Sequence, residues 1–153
     1  MVSGLPMAAH DCFNYHILRT IMEIDKAFLD TLFEQAKENV RLRQNYDLRT
    51  TAADGSQRML NAMMPGTVVP VHRHEDTAET VICLCGKLDE VMYEEVACSG
   101  TDAERFREVK RVRLCPEEGK YGCQIPKGAW HSVEVIEPSV IFEAKDGAYK
   151  ERR

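Results

Sequence analysis

The chain has 153 residues, which suits one domain or one domain with an appendage. Its net charge of −5 at pH 7, spread without long charged blocks, argues against a general nucleic-acid binder. No apolar run in the sequence approaches the roughly 20 residues that a membrane helix requires. The first 21 residues also lack the apolar core of a signal peptide, so we expect a cytoplasmic protein.

The N-terminal third is expected to contain a leader, a helix and an extended arm. Residues 1–22 show no clear period, and their composition alone suggests a leader that is either disordered or loosely attached. Residues 23–56 follow as helix and arm, with an amphipathic helix predicted over 23–40 and capped by Asp25. Its apolar stripe, at helical spacing, consists of Phe28, Leu29, Leu32, Phe33 and Ala36. We expect this stripe to pack against the domain or against a dimer partner.

The arm over 41–49 alternates in polarity, as an extended segment would. Its polar residues of one parity are Arg41, Arg43, Asn45, Asp47 and Arg49. Two interpretations stay open, a solvent-facing edge strand and a wall that binds anions. Arginine suits the second, because its planar fork pairs bidentately with carboxylate or phosphate.

The chain becomes β-rich from residue 57, and residues 57–149 are predicted to form a β-sandwich or β-barrel, followed by a tail at 150–153. The predicted strands are 57–64, 68–74, 79–85, 87–96, 108–114, 121–125, 131–136 and 140–145. Turn residues separate them at 54–55, 65–66, Gly86, 99–100, 116–119, 126–128 and Pro138. Many short strands at this spacing predict a sandwich or barrel.

Three of the five histidines fall into one pattern. His72 and His74 lie two apart on a predicted strand, so their side chains share a face. Glu79 can join them from the neighbouring strand, and His131 follows the turn at 126–128. Imidazoles and a carboxylate form a ligand set for a first-row transition metal.

Strand parity predicts where this site lies. The parity of His72 and His74 includes Val68 and Pro70, and that of His131 includes Val133 and Val135. A polar metal site at one end of an apolar-lined barrel is therefore expected. Two of the six cysteines, Cys83 and Cys85, share the parity of Glu79, so one or both are candidates to face the barrel interior. Cys83 is a weaker candidate for an alternative soft ligand; otherwise these cysteines are buried small hydrophobes.

The stretch from Gly66 to Gly86 resembles the first motif of the cupin superfamily, G-x5-H-x-H-x4-E-x6-G, in every fixed position. The second motif, G-x5-P-x-G-x2-H-x3-N, is matched at Pro126, Gly128 and His131. It departs at two places, where the chain has Lys120 for the first glycine and Val135 for the asparagine.

The resemblance implies a mainly β, single-domain cupin, a double-stranded β-helix or jelly-roll barrel, here with an N-terminal α-helix. It implies one divalent metal ion held by His72, His74, Glu79 and His131. It also suggests a homodimer, since cupins often pair, with the N-terminal helix as a candidate interface element.

A narrower resemblance, over about residues 24–149, is to the WbuC-type cupin metalloproteins found with polysaccharide (O-antigen) gene clusters. The similar segments are 41–45, 57–61, the His72/His74/Glu79 core, Trp130-His131 and 142–149. Arg49 stands where this family suggests histidine, and Ala148 where it suggests proline.

Four protein ligands leave open positions for water or substrate, and the ligand set does not choose among Zn, Fe, Mn, Ni and Cu. One hypothesis is a metal-dependent enzyme, an isomerase or oxygenase of the cupin type. It would act on a small polar or anionic substrate such as a sugar or sugar nucleotide. The other is a non-catalytic, metal-dependent module that binds or senses a small molecule.

Candidate residues for the enzyme lie outside the ligand set. Those proposed to bind substrate are Arg41, Arg43, Asn45, Arg58 and Lys145, and those proposed to transfer protons are Glu143 and Tyr149. Glu143 and Lys145 share a face with Ile141, so this pair is either a salt bridge at the rim or part of a pocket.

Overall fold

The structure, a computed structural model, describes residues 21–96 and 105–150. Within these described residues, helix α1 (Lys26–Glu38) precedes the strands. These are β1 (Arg43–Asp47), β2 (Ser56–Met63), β3 (Glu79–Glu95), β4 (Phe106–Leu114), β5 (Gly122–Ile125) and β6 (Trp130–Asp146). Most of the predicted leader, the predicted turn at 99–100 and the tail after residue 150 lie outside the described residues.

The strands form an antiparallel sheet in the order β1-β2-β6-β3-β4, with β5 paired to the first part of β3. This mainly β architecture with one N-terminal helix confirms the predicted fold class. Both β3 and β6 are 17 residues long and pass through the two halves of the fold. Residues from both halves meet in one interior cluster, which includes Val81, Leu88, Leu114, Val135 and Ile141.

Helix α1 covers the outer face of β2 and β6. Asp25 caps it as predicted, accepting a hydrogen bond of 2.9 Å from the backbone N–H of Phe28. Leu32 and Ala36 are buried against Leu60, Ala62 and Val140. The apolar stripe therefore packs against its own domain.

Gly86 interrupts β3 without ending it, contrary to the predicted turn. The register with β6 shifts on either side of this residue, and its φ is +91°. A Cβ here would lie 2.1 Å from the carbonyl oxygen of Pro138 and 2.7 Å from Cα of Ser139. Glycine therefore allows a bulge in β3 where β6 lies close to it. The predicted strands 79–85 and 87–96 are joined in β3, and the predicted strands 131–136 and 140–145 are joined in β6.

Pro138 likewise lies inside β6 rather than in a turn. Its register with β3 moves from Cys85↔Val140 to Lys87↔Glu137, so Pro138 has no partner position in that ladder. A missing backbone N–H is tolerated at such a place, because no ladder hydrogen bond is needed there.

The predicted strand over 68–74 is absent, since residues 68–74 include only an isolated bridge from His72 to His131. Pro70 supplies no backbone N–H, and Val68 is 78% exposed. The predicted shared face with Val68 and Pro70 is therefore wrong, and a loop carries the first two histidines. His131 does share its face with Val133 and Val135, which contribute to the interior cluster.

Candidate metal centre

Four side chains converge at one end of the barrel. The nitrogen and oxygen atoms offered by His72, His74, Glu79 and His131 all lie within 4.8 Å of one another. Glu79 begins β3 and His131 is the second residue of β6, and both are buried. The sequence-predicted ligand set is thus brought together from two strands and one loop.

Backbone hydrogen bonds hold the histidine loop against β6. The N–H of His72 donates to the carbonyl of His131 at 2.9 Å, and the N–H of His131 donates back at 2.8 Å. Gly128, in the turn before β6, donates to the carbonyl of His74 at 2.8 Å. Backbone hydrogen bonds therefore join the loop that carries His72 and His74 to the segment from Gly128 to His131 directly at the site.

The imidazole rings are oriented by their Nδ1 atoms. Nδ1 of His72 lies 2.9 Å from the carbonyl oxygen of Pro70, and Nδ1 of His131 lies 2.9 Å from that of Ala129. A carbonyl only accepts, so Nδ1 is the donor in both rings and Nε2 is the atom left to bind a metal. Such contacts are the usual support of metal-binding histidines.

The Nε2 atoms of His74 and His131 both lie close to one carboxylate oxygen of Glu79. Nε2 of His131 lies 3.1 Å from Oε2 of Glu79, and Nε2 of His74 lies 2.9 Å from the same oxygen. Nε2 of His74 is buried, yet it makes no well-directed hydrogen bond to any described residue. Because His131 has an acceptor at each ring nitrogen, a neutral ring cannot satisfy both. A cation at this point would satisfy these groups, so the site fits a divalent transition metal ion.

Lys145 holds the other oxygen of Glu79, with its Nζ 3.0 Å from Oε1. The lysine side chain is only 12% exposed, so this ion pair lies inside the site and not at an exposed rim. Burial alone would raise the pKa of Glu79, but contacts with His131, His74 and Lys145 lower it well below its ordinary value. Glu79 is therefore held as a carboxylate, the form that binds metal.

Two other predicted substrate-binding residues share the inner face of the sheet. Arg43 and Asn45 of β1 lie opposite Met63 and Asn61 of β2. Met63 belongs to the interior cluster, so the side chains of these residues are on the inner face of the sheet. β1 is an edge strand of the sheet, which agrees with the first of the two interpretations of residues 41–49, an edge strand.

Arg41, Arg58 and Tyr149 are not brought to the ligands. Arg41 precedes β1 and is exposed. Arg58 shares the parity of Leu60, on the outer face, and its Nη2 lies 3.2 Å from Oδ2 of Asp54. Tyr149 is 54% exposed beyond the end of β6.

Glu143 lies two residues before Lys145 on the inner face of β6, opposite Val81 of β3. Cys83 is in the apolar interior cluster, and its Sγ donates to the carbonyl of Cys85 at 3.3 Å. Burial raises the pKa of the Cys83 thiol to about 12, and Cys83 is not one of the four side chains that converge as candidate ligands.

One buried residue near the site was missed in the sequence. Glu90, on the second half of β3, is 1% exposed. Burial, followed by the charges of Glu79 and Glu143, raises its pKa well above the ordinary value. The signal was available, because Glu90 has the parity of Leu88 and Met92, which face the core.

Solved structures share this fold at low sequence identity. TT1209 from Thermus thermophilus is 21% identical with a TM-score of 0.54, over 82% of this chain and 98% of that one. The cupin domain of Schizosaccharomyces pombe Cnp3 is 14% identical with a TM-score of 0.50, over 69% and 64%. L-ribose isomerase from Cellulomonas parahominis is 14% identical with a TM-score of 0.51, over 71% and 62%. These likenesses establish the fold.

The architecture and the four converging side chains define a cupin-fold protein with a candidate metal centre. Within that class, the chain belongs to the family described as "Domain of unknown function (DUF6016)", which matches residues 24–104. Comparison with curated proteins yields no match. In the described part of the chain, no helix has the length and apolar character needed to cross a membrane.

Proposed function

We propose that the protein is a metal-dependent cupin enzyme acting on a small polar or anionic substrate, such as a sugar or sugar nucleotide. The observation that carries this proposal is the set of four ligand atoms within 4.8 Å. Two of the three imidazoles present Nε2 because their Nδ1 atoms donate to backbone carbonyls.

Three residues outside the ligand set have separate proposed roles in the site. Lys145 holds Oε1 of Glu79, which leaves Oε2 directed at the histidines. Glu143, on the same face of β6, is the proposed proton-transfer residue, and Arg43 on the inner face of β1 is the proposed partner of a substrate charge. A bound metal would supply Lewis acidity, a more acidic bound water or, for iron, redox chemistry.

Two likenesses support a sugar as substrate class. L-ribose isomerase from Cellulomonas parahominis has a similar fold and by its name acts on a sugar. The motif resemblance to WbuC-type cupins suggests polysaccharide (O-antigen) metabolism as the context. A cytoplasmic homodimer belongs to the same proposal.

The second candidate is a metal-dependent module that binds a small molecule without turning it over. It is favoured by the placement of Tyr149, one of the two predicted proton-transfer residues, which is exposed beyond β6. The Glu143→Gln variant separates the two candidates in a screen of sugar phosphates. Lost turnover with retained binding supports the enzyme, whereas binding without turnover in the wild type supports the module.

The metal itself is tested by mass spectrometry on protein purified without a His tag or chelating resin. We expect near-stoichiometric metal in the wild type and a sharp loss in the His72→Ala/His74→Ala variant. Binding stabilises the fold by linkage, so the double variant should unfold at the temperature of chelator-stripped wild type. Full metal occupancy in the double variant would contradict the site assignment.

The identity of the metal directs the next screen. Iron indicates oxygen or redox chemistry and calls for an anaerobic substrate screen. Zinc, nickel or manganese indicates Lewis-acid chemistry or ligand binding, and sugar phosphates are then screened first.

A further inference from the structure

One oxygen of a buried carboxyl group in the barrel interior has no hydrogen-bonding partner among the residues that the structure describes. Glu90 is 1% exposed, and its Oε2 makes no hydrogen bond within the described chain. Burying a polar atom without a partner is unfavourable, and native proteins rarely do so without a functional reason. An apolar residue at this position would avoid the penalty.

The strand register shows where this side chain points. Glu90 lies opposite Val133, which is two residues past the ligand His131 on β6. Opposed residues and residues two apart share a face, so Glu90 and His131 both face the interior. Two residues along a strand span about 7 Å, so Glu90 lies one layer deeper than the ligands.

A second interior polar atom lacks a partner in the same way. Oδ1 of Asn61 is buried without a hydrogen bond in the described residues. Asn61 lies opposite Ile141 of β6, and Ile141 is in the interior cluster. Two polar atoms that have no partner in the described part of the chain therefore project into the interior beneath the ligands.

The charges around Glu90 define what it can bind. Its burial, with Glu79 and Glu143 nearby, raises its pKa, although the charge of Lys145 acts in the opposite direction. The raised pKa favours a neutral carboxylic acid that can both donate and accept. The same carboxylates disfavour an anion at this depth. A hydroxyl group, which also donates and accepts, is the complementary ligand group.

We propose that Glu90 is a specificity-determining residue that hydrogen-bonds a hydroxyl group on the distal part of a polyhydroxylated ligand, whose near end lies at the four-residue centre. The inference deepens the proposed function and rests on it. It names the substrate class as a compound with an oxygen-rich head group and a chain of neutral hydroxyl-bearing carbons.

The test compares two probes on Co²⁺-loaded protein, followed by the visible absorption of the cobalt ion and by calorimetry. Glycolate and D-gluconate carry the same α-hydroxycarboxylate head, but only gluconate has a hydroxylated chain beyond it. We expect the Glu90→Leu variant to bind gluconate about tenfold more weakly, the equivalent of a lost hydrogen bond, with unchanged glycolate affinity. Glu90→Gln, which still donates and accepts, should retain gluconate affinity within a few-fold.

The melting temperature of Glu90→Leu distinguishes a ligand-binding role of Glu90 from a structural role, because the two roles predict changes in opposite directions. Because leucine removes a buried polar atom without a partner, Glu90→Leu should melt at or above the wild-type temperature. A variant that fails to fold, or that melts well below the wild type, would assign Glu90 a structural role and overturn the inference.

The remaining outcomes separate this inference from the function on which it rests. Wild-type gluconate affinity in Glu90→Leu, or an equal loss for both probes, overturns the role of Glu90 alone. Cobalt uptake without binding of either probe also overturns it, while the metal centre stands. A wild-type protein that takes up no cobalt overturns the proposed function and, with it, this inference.

Discussion

The two ends of the barrel are built from the same long strands but bury different chemistry. The closed end is mainly apolar, and its side chains Leu88, Leu114 and Ile141 are at most 1% exposed. The metal end, formed by the four candidate ligands and Lys145, buries charged and polar groups instead. The closed end supplies stability by apolar burial, whereas the metal end carries groups that would be unfavourable without their partners.

This difference shows how β3 and β6 serve both ends. Each strand has an apolar part in the interior cluster and a ligand at or next to its first residue, Glu79 in β3 and His131 in β6. The bend at Gly86 lets the two halves of β3 face each other, so that its first residue reaches His131 on the opposite wall. Changes at the bend should affect both ends, and changes at the metal end should affect mainly metal binding.

The largest effect is expected for Gly86→Ala. A Cβ would lie 2.1 Å from the backbone oxygen of Pro138, which cannot move aside as a flexible side chain could. We expect a loss of about 3–5 kcal/mol in the free energy of unfolding, in the range of the most severe single substitutions. Urea unfolding measures it, and metal binding should fail only as far as the fold is lost.

Gly119→Ala is the matched control for backbone strain. Its φ is +72°, but a Cβ there would meet nothing within 4 Å. The left-handed conformation alone should cost about 1–2 kcal/mol. Equal losses at both glycines would show that strain, rather than the crossing of β3 and β6, determines the effect.

Lys145→Met should give the next largest effect, confined to the metal end. Removing Nζ leaves Oε1 of the buried Glu79 without its charged partner. We expect metal-free protein to lose about 3 kcal/mol, and metal-loaded protein to lose less, since the ion would neutralise the carboxylate. Lys150→Met is the control, because its contact with Asp76 is exposed and worth less than about 1 kcal/mol. An equal loss with and without metal would contradict the pairing of Lys145 with the ligand.

The pH dependence of stability should distinguish Glu90 from Glu79. The pKa of Glu90 is raised in the folded state, so the unfolded chain releases the proton first and stability falls as pH rises above about 4.5. Glu79, whose pKa is lowered, acts oppositely and loses stability as pH falls below that value. Lys145 and Glu143 are the other charged groups that influence Glu90.

Urea unfolding of metal-free protein between pH 5 and 8 tests this behaviour. Wild type should lose at most about 1.4 kcal/mol for each pH unit from this one proton, until the folded-state pKa is reached. Glu90→Gln cannot ionise and should show a flatter profile over the same range. Parallel profiles for the two proteins would show that Glu90 is ionised in the folded state.

Much of the candidate site could be predicted because its signals are local. The spacing of His72, His74 and Glu79 needs no knowledge of the fold, and His131 follows a recognisable turn. The cap at Asp25 and the stripe of α1 are equally local. Each of these depends on residues a few positions apart, where sequence patterns are most informative.

The misplaced features depend on contacts between distant segments. Gly86 and Pro138 are typical turn residues, yet each occupies a bulge that exists because the other strand lies beside it. The same bulge breaks the parity of Cys83 and Cys85, which pack in the interior and outer clusters respectively. Arg58 could not be placed without the register that puts it on the outer face.

The smallest predicted effect lies on the outer face, far along the chain from the ligands. Asp25→Ala removes the cap that binds the N–H of Phe28 and should cost about 1 kcal/mol in urea unfolding. Asp30→Ala is the control, since it removes only an exposed ion pair with Lys26 and should lower the free energy of unfolding less than the loss of the cap.

Neither α1 variant should change metal stoichiometry or cobalt absorption, because the helix packs on Leu60 and Val140, whose side chains face away from the interior. The two faces of β2 and β6 would then act independently, with stability effects adding to those of Lys145→Met. If Asp25→Ala instead weakened metal binding, helix docking would be coupled to the ligands through β6, and the division between a stabilising framework and a separate metal end would be wrong.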